Sequence, residues 1–312
     1  MADTHPILGW NVGGTRSGVV LGTADGEMLA NRTWPSGAER GPGPMIGEFV
    51  EQARPLLERH PGVAACGVSI GGPLNPLSGV ILSPPHLPGW DGIPLAEQLT
   101  AGLGLPVVVE HDAAACLEAE VLWGAAEGCT HAVYLTCGTG FGAGILIDGR
   151  ILRGPDGETP ELGHVRIAPD GPVCFGVAGC AESFCSGEGI AKLAPFLFPD
   201  RFEAPVEPRR LVELAAEGDE AAQAVLDESG RRTGQVCAAL ADVLIPQVIV
   251  LGSLARYLPG RWLALIREAF DAEALEANGR HTRIIPAGLG ERLQPLSSIA
   301  PVVFRPPDCS RD

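Results

Sequence analysis

The chain has 312 residues, 46% of them hydrophobic, which is enough for two ordinary domains with well-filled cores. Its formal net charge is −16 and no Lys/Arg cluster occurs, which excludes nucleic acid and anionic membranes as natural partners. No apolar run approaches the roughly 20 residues of a membrane span, and the opening Met1-Ala2-Asp3-Thr4-His5-Pro6 has no basic stretch, so a cytoplasmic protein without a signal peptide is expected.

Three short strands are predicted first: Ile7 to Val12, Ser17 to Thr23, and Glu27 to Asn31 after an Asp25-Gly26 turn. A helix from about Met45 to Arg59 leads into a buried strand, Val63 to Ile70. The Pro/Gly-rich stretch Gly71 to Pro94 is too long for a plain connection and reads as a functional loop. A helix near Leu95 to Gly102 and a strand Val107 to Glu110 deliver Asp112, and an Ala-rich helix runs from Ala113 to Trp123. The second half repeats the layout, with strands His131 to Cys137 and Gly142 to Asp148 about a glycine turn. Helices follow at Glu182 to Pro195, Glu207 to Glu217 and Asp219 to Val243, then a strand Gln247 to Leu251 and a helix Arg261 to Ala274. A short helix near Leu296 to Val302 precedes a frayed tail, Pro306 to Asp312. Alternating strands and helices predict a mixed α/β fold of two related lobes with the active site in the cleft between them.

Glu110-His111-Asp112 stands where an apolar run meets a helix, between two glycine-rich turns, Gly13-Gly14-Thr15 and Gly138-Thr139-Gly140-Phe141-Gly142. Such turns offer N–H groups to phosphate, and a carboxylate at a strand end can take a hydroxyl proton; together they suit phosphoryl transfer to an alcohol. Net negative charge does not oppose this, because backbone dipoles and Mg²⁺ neutralise a nucleotide locally. An Asp after a strand is also a common helix N-cap, and the residues alone leave capping and catalysis level.

Asn11-Val12-Gly13-Gly14-Thr15-Arg16 resembles the first phosphate motif of actin-like sugar kinases. Gly67-Val68-Ser69-Ile70-Gly71-Gly72-Pro73, Ser83 to Trp90, Asp112, Gly138 to Gly142, Glu161-Leu162-Gly163-His164, Gly179-Cys180-Ala181-Glu182 and Val250-Leu251-Gly252 narrow the resemblance to the ROK family. These matches run in family order from about residue 7 to 255. The resemblance implies a ribonuclease-H-like fold, with a first lobe of residues 1–112 completed by about 291–312 and a second lobe of 113–290. It also implies an ATP- and Mg²⁺-dependent hexose kinase, first for glucose, forming a homodimer, with Asp112 as general base on the 6-hydroxyl. Sugar contacts fall to Gly72, Pro73, His86, His111, Glu161, His164 and Glu182; the nucleotide falls to Gly13, Gly14, Thr15, Arg16, Gly138, Thr139, Gly140 and Gly252. An N-acetylhexosamine or mannose kinase, or a silent sugar-binding regulator, is the alternative, and the donor is ATP or polyphosphate.

Three polar positions depart from the family pattern: Asn11 for Asp, His86 for Asn, and His111 for Asn. An amide is a weaker partner than a carboxylate for a hard cation. Imidazole is bulkier than an amide and, as a residue type, titrates near neutrality, which bears on sugar choice and pH dependence. The family's zinc motif, C-x-C-G-x-x-G-C-x-E, is altered too: Cys174 falls at the first x and Phe175 at the next Cys place. His164, Cys174 and Cys180 leave three ligands where a structural zinc usually takes four, Cys185 joining only if the backbone re-routes. Buried free thiols are the alternative, in keeping with nine cysteines, an odd count, mostly in apolar segments.

Overall fold

The computed structural model describes residues 5–307. The opening Met1 to Thr4 and the tail Asp308 to Asp312, expected to fray, lie outside the described residues. Two compact units emerge: residues 5–128, 149–159 and 288–307 form the first, and 129–148 and 160–287 the second.

The first unit opens with β1 (Ile7–Val12), β2 (Arg16–Gly22) and β3 (Met28–Pro35), an antiparallel meander. Helix α1 (Pro42–Arg59) buries Met45, Phe49, Ala53 and Leu56 at helical spacing, and Trp10 stacks on Phe49 with ring centroids 4.5 Å apart. Strand β4 (Ala65–Ile70) returns parallel to β1. The long Pro/Gly stretch holds a small sheet of β5 (Leu74–Asn75), β6 (Val80–Leu82) and β7 (Asp91–Pro94). These strands are two to four residues long, too short to show a period in sequence. Helix α2 (Leu95–Leu103) follows, then β8 (Val107–His111) and α3 (Asp112–Trp123). The sheet order is β3-β2-β1-β4-β8.

In the second unit β9 (Ala132–Leu135) and β10 (Ala143–Ile147) form an antiparallel hairpin. The segment Gly149–Thr159, with β11 (Arg150–Ile151), belongs to the first unit. A two-stranded hairpin, β12 (Val173–Cys174) and β13 (Val177–Ala178), precedes α4 (Glu182–Cys185) and α5 (Gly187–Leu197). The single helix expected here is two, because Ser186 leaves helical geometry and its Oγ caps α5, accepting from Gly189 N–H at 2.8 Å. Helices α6 (Pro208–Ala216) and α7 (Glu220–Leu244) lead to β14 (Val248–Leu251). Then come α8 (Leu254–Tyr257), α9 (Gly260–Glu273), α10 (Glu276–Gly279) and β15 (Arg283–Pro286). The order β10-β9-β14-β15, with β9, β14 and β15 parallel, repeats the arrangement β2-β1-β4-β8.

Helix α11 (Leu293–Val303) closes the first unit against β1, β4 and α3. Two glycines let it in. A Cβ on Gly9 would stand 2.3 Å from Ser298 Oγ, and one on Gly67 2.0 Å from the Ser298 carbonyl. Because α3 packs on α11, the expected break after Asp112 falls inside the first unit. Among the described residues no helix is long and apolar enough to cross a membrane.

Candidate active site

Asp112 is the first residue of α3, where β8 ends, and its side chain is 44% exposed. No side-chain hydrogen bond caps this helix, and His111, in extended geometry, holds the cap position. The carboxylate therefore sits at the positive end of a helix with its oxygens available to an incoming group. A Cβ on Gly71 would lie 3.9 Å from Asp112 Oδ2, so the Gly71-Gly72-Pro73 turn borders the carboxylate directly. His111 points inward: it is 6% exposed, and a Cβ on Gly72 would stand 2.8 Å from its Cδ2. Its buried Nδ1 has no hydrogen-bond partner among the described residues and lies 3.7 Å from Asp112 Oδ1.

Below this turn lies a charge network that the sequence did not single out. Glu110, 3% exposed, accepts from the His111 N–H at 2.8 Å and forms a two-pronged ion pair with Arg153. Burial works against the Arg153 charge, but the hydrogen bond to Glu110 and the charges of Glu110 and Glu118 raise its basicity above the usual value. Burial, then the charge of Glu110, pushes the Glu118 carboxyl well above the carboxylate range, with Arg153 opposing. The Glu118 Oε2 has no hydrogen-bond partner among the described residues and stands beside a cavity of about 420 Å³ that Arg153 and Phe304 also line. Glu120, fully buried, gathers the N–H groups of Ala125, Gly288 and Leu289 at 2.6–3.1 Å. Nothing in a single sequence distinguishes these glutamates from solvated ones on an Ala-rich helix.

The first glycine turn joins β1 to β2. Gly13 N–H donates to the Arg16 carbonyl, Ser36 Oγ donates to the Gly13 carbonyl, and Ser36 N–H to that of Thr15. Among the described residues the N–H groups of Gly14 and Thr15 find no acceptor, the condition for an anion cradle. The backbone of His86 passes over Gly14, where a Cβ would meet its carbonyl at 2.9 Å; its side chain is exposed. Arg16 turns aside to Thr33 Oγ1 at 3.1 Å. Asn11 donates its amide to Gln294 Oε1 at 3.1 Å.

The second turn joins β9 to β10. Gly138 N–H donates to the Gly140 carbonyl, while Thr139 and Gly140 N–H groups find no acceptor among the described residues. Helix α5 starts against it, with Gly187 N–H on the Gly138 carbonyl at 2.7 Å and Glu188 N–H on that of Thr139. Glu182, expected to grip sugar, is 5% exposed, and its Oε2 accepts from Phe141 N–H at 3.0 Å. Gly252 has no room for a side chain, since a Cβ would stand 2.0 Å from the Thr136 carbonyl. Its neighbour Ser253 donates its hydroxyl to the Cys137 carbonyl at 3.1 Å.

Glu161 and His164 are exposed at either end of a short 3-10 turn, Leu162–His164. The zinc set implied by resemblance is not gathered: among the described residues no group of three His, Cys, Asp or Glu could hold a metal ion. The physical reason is local. Phe175 occupies the tip of the β12–β13 hairpin, and its ring stacks on His164 with centroids 4.9 Å apart. Cys180 Sγ is fully buried and lies 3.2 Å from Ser183 Oγ, which donates to the Pro172 carbonyl at 2.7 Å. Cys185 is enclosed, burial pushing its thiol up to about 12.

Two sheets of one strand order, each with a glycine turn carrying two N–H groups that find no acceptor among the described residues, define the actin-like ATPase class of α/β protein. The ROK family model matches residues 7–293, and the chain belongs to the ROK family. It is similar to a glucokinase from Thermotoga maritima, 31% identical over 259 residues, covering 79% of this chain and 81% of that protein. An N-acetylmannosamine kinase from Shigella flexneri is 31% identical over 284 residues, 88% of this chain and 94% of its own length. The crystal structure of a ROK hexokinase from Thermus thermophilus matches with a TM-score of 0.82 at 31% identity, covering 95% and 97% of the two chains.

Proposed function

We propose that this sugar kinase transfers the γ-phosphoryl group of ATP to the 6-hydroxyl of a hexose, glucose first, with Asp112 as general base. The observation that carries the reading is Asp112 itself: half-exposed, first in its helix, free of capping duty and bordered by the Gly71-Gly72-Pro73 turn. In this role it takes the hydroxyl proton as the oxygen attacks phosphorus, a contribution of about 10²–10⁴ in rate. The turns at Gly13-Gly14-Thr15 and Gly138-Thr139-Gly140 would bind phosphate through their free N–H groups, and Gly252 would border the nucleoside. Glu161 and His164 would hold sugar hydroxyls, with Gly72, Pro73 and His86 at the rim and His111 behind it. Mg²⁺ would arrive on the nucleotide, supplying charge neutralisation on the phosphates, and the amide of Asn11 fits it less well than a carboxylate would. The enzyme is read as a cytoplasmic homodimer.

A second reading, phosphorylation of an N-acetylhexosamine, draws support from the similarity to the N-acetylmannosamine kinase. One experiment tests both: magnesium-dependent ADP release across glucose, mannose, N-acetylglucosamine and N-acetylmannosamine. The largest kcat/KM identifies the acceptor. Release with none of them, under saturating ATP and magnesium, would reject the kinase reading in favour of a silent sugar-binding protein.

A further inference from the structure

We infer that the loop presenting Glu161 and His164 is held without a metal ion, by a ring stack that stands where family members place a zinc ligand. Phe175 and Gly176 are the two central residues of the β12–β13 hairpin, with φ of 49° and 74°. Both positive values mark the tight turn that favours Asn or Gly at its first position. A bulky aromatic in this region is uncommon and costs backbone energy, so something must offset it. The offset here is the contact of Phe175 with His164, at an interplanar angle of 28°.

The rest of the loop is closed by hydrogen bonds alone. Gly179 N–H donates to the Pro172 carbonyl, and Ile167 and Ala168 N–H groups share the Gly179 carbonyl. Arg166 reaches the Ala178 carbonyl at 2.9 Å, and Ala181 N–H donates to the Val165 carbonyl at 2.8 Å. A Cβ on Gly179 would stand 2.4 Å from the Ala168 carbonyl, so these two stretches of backbone pack with no room for a side chain. Cys180 places its sulfur between Ser183 Oγ and the Cys174 carbonyl. Val173 and Phe175, at the two places of the family's C-x-C, are apolar and cannot ligate. Phe175 is therefore a positioning residue: it holds the imidazole of His164, and through it the turn that begins at Glu161. Only its effect on sugar binding rests on the kinase reading above.

The test uses the full chain. Elemental analysis of protein purified without chelator should find substoichiometric zinc, and melting should be unchanged by EDTA; stoichiometric zinc lost to EDTA with a lower Tm overturns the inference. Hydrogen exchange across residues 161–182 should quicken in Phe175→Ala and stay slow in Phe175→Tyr, which keeps a ring; equal exchange in all three proteins overturns it as well. Neither readout needs a substrate, so the inference can fail or stand independently of the kinase reading. Where turnover is measurable, Phe175→Ala should raise the sugar KM by roughly threefold to tenfold with kcat nearly unchanged, and Phe175→Tyr should restore it.

Discussion

The two units use one strand plan to hold a glycine turn, yet they stabilise it by different means. In the first, the turn is walled by backbone and by Ser36, and the strand that ends before Asp112 carries a buried ion pair, Glu110 with Arg153, next to the raised carboxyl of Glu118. In the second, the turn is braced by the start of α5, by Ser253 and by a single carboxylate, Glu182. The difference teaches where each unit is brittle. Buried charges tolerate loss of a partner poorly, whereas a network of neutral backbone bonds loses its members one at a time.

The largest expected effect in the first unit is on turnover, at Asp112. Asp112→Asn keeps the shape of the helix start and should leave fold and sugar affinity intact, but kcat should fall by about two orders of magnitude or more. Steady-state turnover near the wild-type level would remove Asp112 from the role of base. Next comes Arg153→Met, which leaves Glu110 beside Glu118 without a counter-charge. Unfolding free energy should drop by about 3 kcal/mol and Tm by about 6–12 °C, read by chemical and thermal denaturation. A variant as stable as the parent would show that the ion pair holds nothing.

The second unit gives way more gently. Glu182→Gln keeps an oxygen for Phe141 N–H but removes the charge that strengthens the bond, so kcat/KM for ATP should fall roughly threefold to tenfold. An unchanged value would mean that the second turn is held by α5 and Ser253 without the carboxylate. The smallest effect has the opposite sign. Glu118 is protonated in the folded state at pH values where the unfolded chain ionises it, so folding binds an extra proton and stability falls as pH rises past the ordinary carboxyl range. Glu118→Gln should abolish this slope and raise Tm by a few degrees at pH 8, on the order of 2–4 °C for about 1 kcal/mol, with little gain at pH 4. Parallel Tm curves for the two proteins from pH 4 to 8 would contradict the buried neutral acid.

Much of the fold could be read because its signals are local. The hairpin at Asp25-Gly26, the periodic face of α1 and the Ala-rich α3 all follow from short-range rules, and Asp112 stands out by its neighbours. What escaped depends on contacts far apart in the chain. Arg153 meets Glu110 across 43 residues, and Glu120 meets Gly288 across 168. Ser186 looks like helix interior in the sequence, because a capping serine resembles any other until the backbone turns. The inward tilt of His111 and the Phe175–His164 stack depend likewise on packing against Gly72 and on a hairpin only two residues wide.

The groove that Gly9 and Gly67 open for α11 also sets an order of events during synthesis. The strands that form its floor leave the ribosome early, and the helix that fills it leaves after the second unit's last strand, β15. Domains fold as units while the chain grows, so the second unit, nearly continuous in sequence, can complete itself while the first still lacks one face. Until Leu293–Val303 arrives, the nascent sheet shows Gly9, Gly67 and their apolar neighbours to whatever is nearby. For that interval the groove is an open apolar face of the growing chain.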